Sequence, residues 1–303
     1  MAPANLATKS SSPTDLRAGQ GHKFDALDQA LVDIVEGDSP MTVRQTFYQA
    51  EVAGLVPKDE DGYKLVLARL VVVRERFITV AKGPSLDPDL IIDPSRKIDR
   101  VPTWADLPRF LDTVKNWYRR DLWRDQRGAL PIILIEKEAL AGIVRSVTDD
   151  YAVPLIATHG SPSITVMKDL ANFIGERHVA IYQFGDHDPM GENIPRQCEK
   201  ALRLFGLGLG QVIREALTPE QVARWKLPSR PTKASGAGDH LGRAFKAEYG
   251  DSVELDALTT TRLRELVENA ITRHVDQAAW TKSLKRQASD QRRLEKLIKV
   301  AAS

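Results

Sequence analysis

Three short apolar runs, at 131–135, 153–157 and 178–184, are separated by two stretches with helical periodicity, at 138–150 and 163–176. This alternation constrains the fold more than any other feature of the chain. Strand-length apolar runs alternating with amphipathic helices predict a βαβαβ unit, hence a parallel sheet covered on both faces and wound by right-handed crossovers. In such open sheets ligands collect beyond the carboxyl ends of the strands. Glu136 follows the first run directly, and Asp186 and Asp188 follow the third after a single glycine. All three carboxylates are therefore expected on the ligand edge.

Side chains alternate along an extended segment, so Asp186-His187-Asp188 presents two carboxylates on one side and His187 on the other. Hard oxygen donors of this kind suit magnesium, which keeps several waters and shares its shell with substrate phosphates. Acids at strand ends also occur in α/β folds without any metal. His187 is read as outward-facing or supporting, because no zinc spacing accompanies it.

Three motifs in order, Ile135-Glu136-Lys137-Glu138-Ala139, Thr158-His159-Gly160-Ser161-Pro162 and Gly185-Asp186-His187-Asp188-Pro189-Met190-Gly191, resemble the Toprim domain of the topoisomerase VI A subunit and the related meiotic double-strand-break protein. The resemblance implies that Glu136, Asp186 and Asp188 are magnesium ligands, with Glu138 at a second acidic position. It also implies that His159 stands where the family's phosphate loop has a lysine, as a DNA contact. Met167 occupies a position where the family often has arginine, and the chain is shorter than a typical A subunit.

This family carries a catalytic tyrosine in a winged helix ahead of the Toprim domain. Thr42-Val43-Arg44-Gln45-Thr46-Phe47-Tyr48 resembles that motif. Ser39 and Pro40 are expected to cap and start the helix, Phe47 to be core, and Arg44 and Tyr48 to be neighbours one turn apart. A phenol of pKa near 10 needs a cation beside it to attack a phosphodiester, and a guanidinium also binds phosphate oxygens in bidentate fashion. Tyr48 and Arg44 are thus the candidate catalytic pair, although a lone tyrosine here also reads as a half-buried aromatic on an amphipathic helix.

A second helix is expected over 63–76, with wing strands at 77–81 and 89–93, which together make a winged helix-turn-helix. Arg74, Arg76, Lys82, Arg96, Lys97 and Arg100 are candidate phosphate contacts near the wing. The expected division is a tail to residue 25, a winged-helix domain over 26–100, linker helices over 101–128, a Toprim domain over 129–217 and a mostly helical extension over 218–303.

A net charge of +2 does not announce nucleic acid, so DNA binding would rest on local clusters such as Arg119, Arg120, Arg124 and Arg127. Cys198 is the only cysteine, which excludes an internal disulfide and suits a reducing, cytoplasmic setting. No apolar run approaches the roughly 20 residues of a membrane span. The glycine-rich stretches 206–210 and 236–242 lack the strand-to-helix context of nucleotide fingerprints and read as turns. An amphipathic helix is expected over 259–271, and a charged one from Thr281, whose basic residues Lys282, Lys285, Arg286, Arg292, Arg293, Lys296 and Lys299 could touch DNA or solvate a face, the solvated face being the favoured reading.

The resulting expectation is a magnesium-dependent, DNA-cleaving homodimer in which Tyr48 attacks a backbone phosphate of double-stranded DNA, with any ATPase on a separate B-type subunit. Two alternatives remain: a Toprim nuclease using metal-activated water, and a non-catalytic DNA-binding regulator. Retention of all three carboxylates argues against the last.

Overall fold

The computed structural model describes residues 24–93, 101–208, 212–232 and 239–301. It divides into two compact units, which meet in sequence between Ile92 and Asp93. Most of the expected tail, the candidates Arg96, Lys97 and Arg100, and parts of both glycine-rich stretches lie outside the described residues.

Among the described residues the first unit holds three α-helices, α1 (Asp25–Asp38), α2 (Val43–Val52) and α3 (Glu60–Thr79). Their core is built from Leu31 and Val35 of α1, Phe47 and Ala50 of α2, and Val66, Leu70 and Val73 of α3. Phe47 is core as expected. The cap of α2 is Thr42 rather than Ser39: its side chain accepts from the Gln45 amide while Gln45 reaches back to the Thr42 amide, a reciprocal capping box. The expected wing strands are corrected. Residues 77–79 continue α3, which ends at Val80 in the left-handed conformation, and residues 88–90 form a 3-10 turn. Phe77, Ile78 and Val80 are exposed, so no apolar surface draws this stretch out of the helix. Only a single parallel bridge joins Met41 to Ile91.

The second unit contains the sheet. Four parallel strands, β1 (Leu130–Ile135), β2 (Leu155–Ala157), β3 (Val179–Phe184) and β4 (Val212–Ala216), run in the order β2-β1-β3-β4. Helix α4 (Leu107–Trp117) precedes the sheet, and α5 (Glu138–Asp150), α6 (Ile164–Ile174) and α7 (Ile194–Leu204) connect its strands. The βαβαβ reading therefore holds, with a fourth strand beyond it.

Every residue of β1 is buried. Ile132 and Leu134 pack with Met167, Leu170 and Ile174 of α6 and with Ile194, Cys198 and Leu202 of α7. Helices α5 and α10 (Thr260–Thr272) contact β1 as well as each other, and Leu263, Val267 and Ile271 of α10 are fully buried. Cover on both faces explains why β1 is an unbroken apolar run instead of an alternating one. Helices α8 (Pro219–Trp225), α9 (His240–Tyr249) and α11 (Gln277–Ala301) complete the unit. Among the described residues, no helix is long and apolar enough to cross a membrane.

Candidate active site

Strand order positions the site. From β1 the chain crosses to β2 on one side, and the next crossover passes back over β1 to β3 on the other, so winding reverses between β1 and β3. At such a switch point the connections leave in opposite directions and open a crevice at the carboxyl ends. Ile135 pairs with Phe184 at the last register position, which makes Glu136 and Gly185 neighbours there.

Glu136 Oε2 accepts the backbone N–H of Asp186 at 2.9 Å. Gly185 is required for this approach, because a Cβ at that position would lie 2.7 Å from Glu136 Oε2. Asp186 is 5% exposed, and its Oδ1 accepts the Leu255 amide at 2.8 Å and meets Lys137 Nζ at 3.0 Å. Asp188 Oδ1 accepts the amides of Met190 and Gly191 at 3.0 and 2.7 Å, just ahead of the 3-10 turn Gly191–Asn193. Its Oδ2 lies 3.7 Å from Arg230.

Several groups around these carboxylates were not read from the sequence as parts of the site. Lys137 Nζ contacts Asp256 at 2.5 Å and Glu254 at 3.2 Å as well as Asp186. Arg214 of β4 donates to the backbone oxygens of Asp186 at 2.6 Å and Gly191 at 2.7 Å, and pairs with Glu192 at 3.0 Å. Arg230 pairs with Glu254 at 3.2 Å and lines a cleft of about 370 Å³ with Asp188 and Ser252. His187 is buried, with Nδ1 3.0 Å from Glu192 and its ring against Phe245 and Tyr249.

The electrostatics follow from burial. Desolvation, with the charges of Asp186 and Asp188, pushes the Glu136 carboxyl up to about 7. Burial also raises Asp186, against the pull of Lys137. Burial opposes the charge on Lys137, but Asp256, Asp186 and Glu254 outweigh it and hold the ammonium protonated well above its ordinary range. Burial lowers Arg214, and Glu192 offsets part of that.

Among the described residues, no group of three His, Cys, Asp or Glu side chains is arranged to hold a metal ion. The donor chemistry nevertheless fits a hard cation. Glu136, Asp186, Asp188, Glu254 and Asp256 stand against three cations, Lys137, Arg214 and Arg230. An excess of carboxylate held in a partly dehydrated edge is relieved by a divalent ion bound through oxygen.

The other candidates are spread more widely. His159 is exposed, 3.5 Å from Glu138, at the tip of the loop after β2 with φ 52°. Arg44 is exposed, whereas Tyr48 is 5% exposed and packs in the helical core with its ring on Phe47. Lys58 Nζ sits 5.8 Å from the centre of the Tyr48 ring. Arg76 pairs with Asp25 and Asp28 at 3.2 and 2.9 Å, an internal tie, while Arg74 donates to the Leu70 carbonyl and Lys82 is exposed. Comparison with models of known protein families and with curated proteins gives no match.

Proposed function

We propose that this protein cleaves DNA strands in a magnesium-dependent reaction of the topoisomerase VI A-subunit type. The observation that carries the reading is the meeting of Glu136 and Asp186, with Asp188 two residues on, at the switch point of a parallel sheet. Glu136, Asp186 and Asp188 would hold the metal, which when bound supplies positive charge against the phosphate oxygens of the transition state. Binding it would require Glu136 to give up its proton. Tyr48 is the nucleophile in this reading and Arg44 its phosphate clamp. The first unit, a three-helix module without the expected strands at 77–81 and 89–93, is taken as the DNA-reading module, the active form as a homodimer, and any ATPase as a separate subunit.

One observation favours a second reading, a Toprim nuclease in which water attacks: Tyr48 is buried, and a nucleophile must reach its phosphorus. The two readings differ in what they leave behind. A tyrosyl mechanism yields a protein–DNA adduct that survives denaturation, and Tyr48→Phe should abolish both adduct and cutting. The ring keeps its packing in that variant, so loss of the hydroxyl should cost only about 1 kcal/mol of stability. Undiminished cutting by Tyr48→Phe with no adduct would establish hydrolysis, and full activity in chelator would sink both readings.

A further inference from the structure

Charge is unevenly distributed along this chain. Residues 107–120 hold four basic side chains and one acidic, and 277–301 hold seven and two, so these two segments carry +8 in a chain whose total is +2. The remainder is therefore −6. At 100° per residue, the seven basic residues of α11 fall within one sector of about 140°, and both of its acids, Asp290 and Glu295, fall outside it.

The two acids are occupied. Helix α4 and the residues after it pack along α11, with Lys115 on Glu295 at 3.2 Å, and Tyr118 and Arg120 both on Asp290 at 2.9 and 3.1 Å. The Arg120 amide also donates to Gln287. The face of α11 that could soften the basic stripe is thus turned to α4. Lys282, Lys285, Arg292, Arg293, Lys296 and Lys299 are exposed and have no acidic partner among the described residues, while Arg286 at the stripe's edge pairs with Asp125.

A merely solvated helix gains by mixing signs at i,i+3 and i,i+4, and like charges at those spacings destabilise it. Here Lys282 faces Lys285 and Arg286, and Lys296 faces Arg292, Arg293 and Lys299, while the acids at such spacings, Asp290 (from Arg286 and Arg293) and Glu295 (from Arg292 and Lys299), are engaged by Lys115, Tyr118 and Arg120. That repulsion has no return in the isolated chain. A polyanion removes it, and the stripe spans about 26 Å, long enough to follow several phosphates of a duplex. A membrane surface would need a continuous apolar face beside the cations; Leu297 and Val300 are exposed near the C-terminal end of the stripe, but the side of α11 opposite the stripe is packed on α4, and these two residues make no such face.

We infer that the basic stripe of α11 is a DNA-backbone contact that uses neither the site carboxylates nor any residue of the three-helix unit. It shares with the proposed function only the identity of the partner. Its test is binding of a labelled DNA duplex in EDTA, where no cutting occurs, over a series of salt concentrations. Arg292→Gln/Arg293→Gln/Lys296→Gln should weaken binding at least tenfold near 100 mM salt and flatten the salt dependence by about 0.9 in log–log slope for each phosphate that the variant no longer neutralises. Lys168→Gln/Lys200→Gln/Lys246→Gln, with the same charge change at positions away from the stripe, should leave both nearly unchanged. An unaltered slope in the stripe variant, equal weakening in the two variants, or preferential binding of wild type to phosphatidylserine vesicles would overturn the inference. Stripe-dependent binding by a protein that never cuts DNA would instead remove the cleavage reading and leave this one standing.

Discussion

Glu136 does two things at once: it accepts the Asp186 amide, and it keeps its proton to a pH of about 7. Its folded pKa lies above the ordinary 4.5, so its contribution to stability is full below about 4.5 and is lost as pH rises through 7. Above that range a buried negative charge beside Asp186 is a cost of up to about 3 kcal/mol, at about 1.4 kcal/mol per pKa unit. Glu136→Gln keeps an acceptor for the Asp186 amide and cannot ionise. In EDTA it should therefore melt about 5 °C above wild type at pH 8 and level with it at about pH 4.5. Magnesium should close the gap at pH 8 by stabilising wild type alone. A calorimetric scan in which the variant melts at or below wild type at pH 8 would show that Glu136 is not held under this strain. The acids themselves were readable from the sequence because each closely follows an apolar run. Lys137, Glu254 and Asp256 were not read as a group, since a cation and acids more than a hundred positions apart leave no local pattern.

At the level of elements, α1 and α3 are tied by a buried charge cluster. Asp28 is fully buried, and its two oxygens receive Arg69 Nε and Nη2 at 2.6 Å each, with Arg76 added at 2.9 Å. Asp28→Asn would leave the buried Arg69 guanidinium without its counter-charge and Arg76 with Asp25 in place of two acids, a loss of about 3–5 kcal/mol. Urea titration of the first unit's transition measures this, and a loss under about 1 kcal/mol would mean that water already screens the cluster. Arg76→Gln should likewise weaken this unit before it affects DNA. The cluster also bears on why residues 77–81 are not a wing strand. Phe77-Ile78-Thr79-Val80-Ala81 has strand-like composition, yet α3 runs on to Thr79, because extending an existing helix adds one hydrogen bond per residue fixed and Arg76 anchors its last turn to α1. By contrast, 131–135 was legible because helices cover both of its faces and every residue had to be apolar. Strand β4 escaped notice for the opposite reason, since Arg214 and Glu215 interrupt its pattern to serve the site and to pair with Arg273.

For the molecule as a whole, the proposed tyrosine and the proposed metal ligands belong to different units, Tyr48 to the first and Glu136, Asp186 and Asp188 to the second. A two-fold dimer offers an arrangement in which each Tyr48 serves its partner's carboxylates, and it presents two such sites to the two strands of a duplex. Composite sites of this kind make a distinctive prediction. Tyr48→Phe and Asp186→Asn should each be inactive alone, the first lacking the nucleophile and the second a charged ligand for a hard cation. Mixed and allowed to exchange subunits, they should regain partial activity, because one of the two sites in a mixed dimer combines an intact tyrosine with an intact carboxylate set. The other site in that dimer carries both lesions. The products should therefore be nicks rather than double-strand breaks, and the adduct should form only on the Asp186→Asn chain. If mixed dimers are shown to form by mass and remain inactive, the site is not shared between subunits. Cutting by a protein that sediments as a monomer at working concentration would put Tyr48 and the carboxylates to work within one chain.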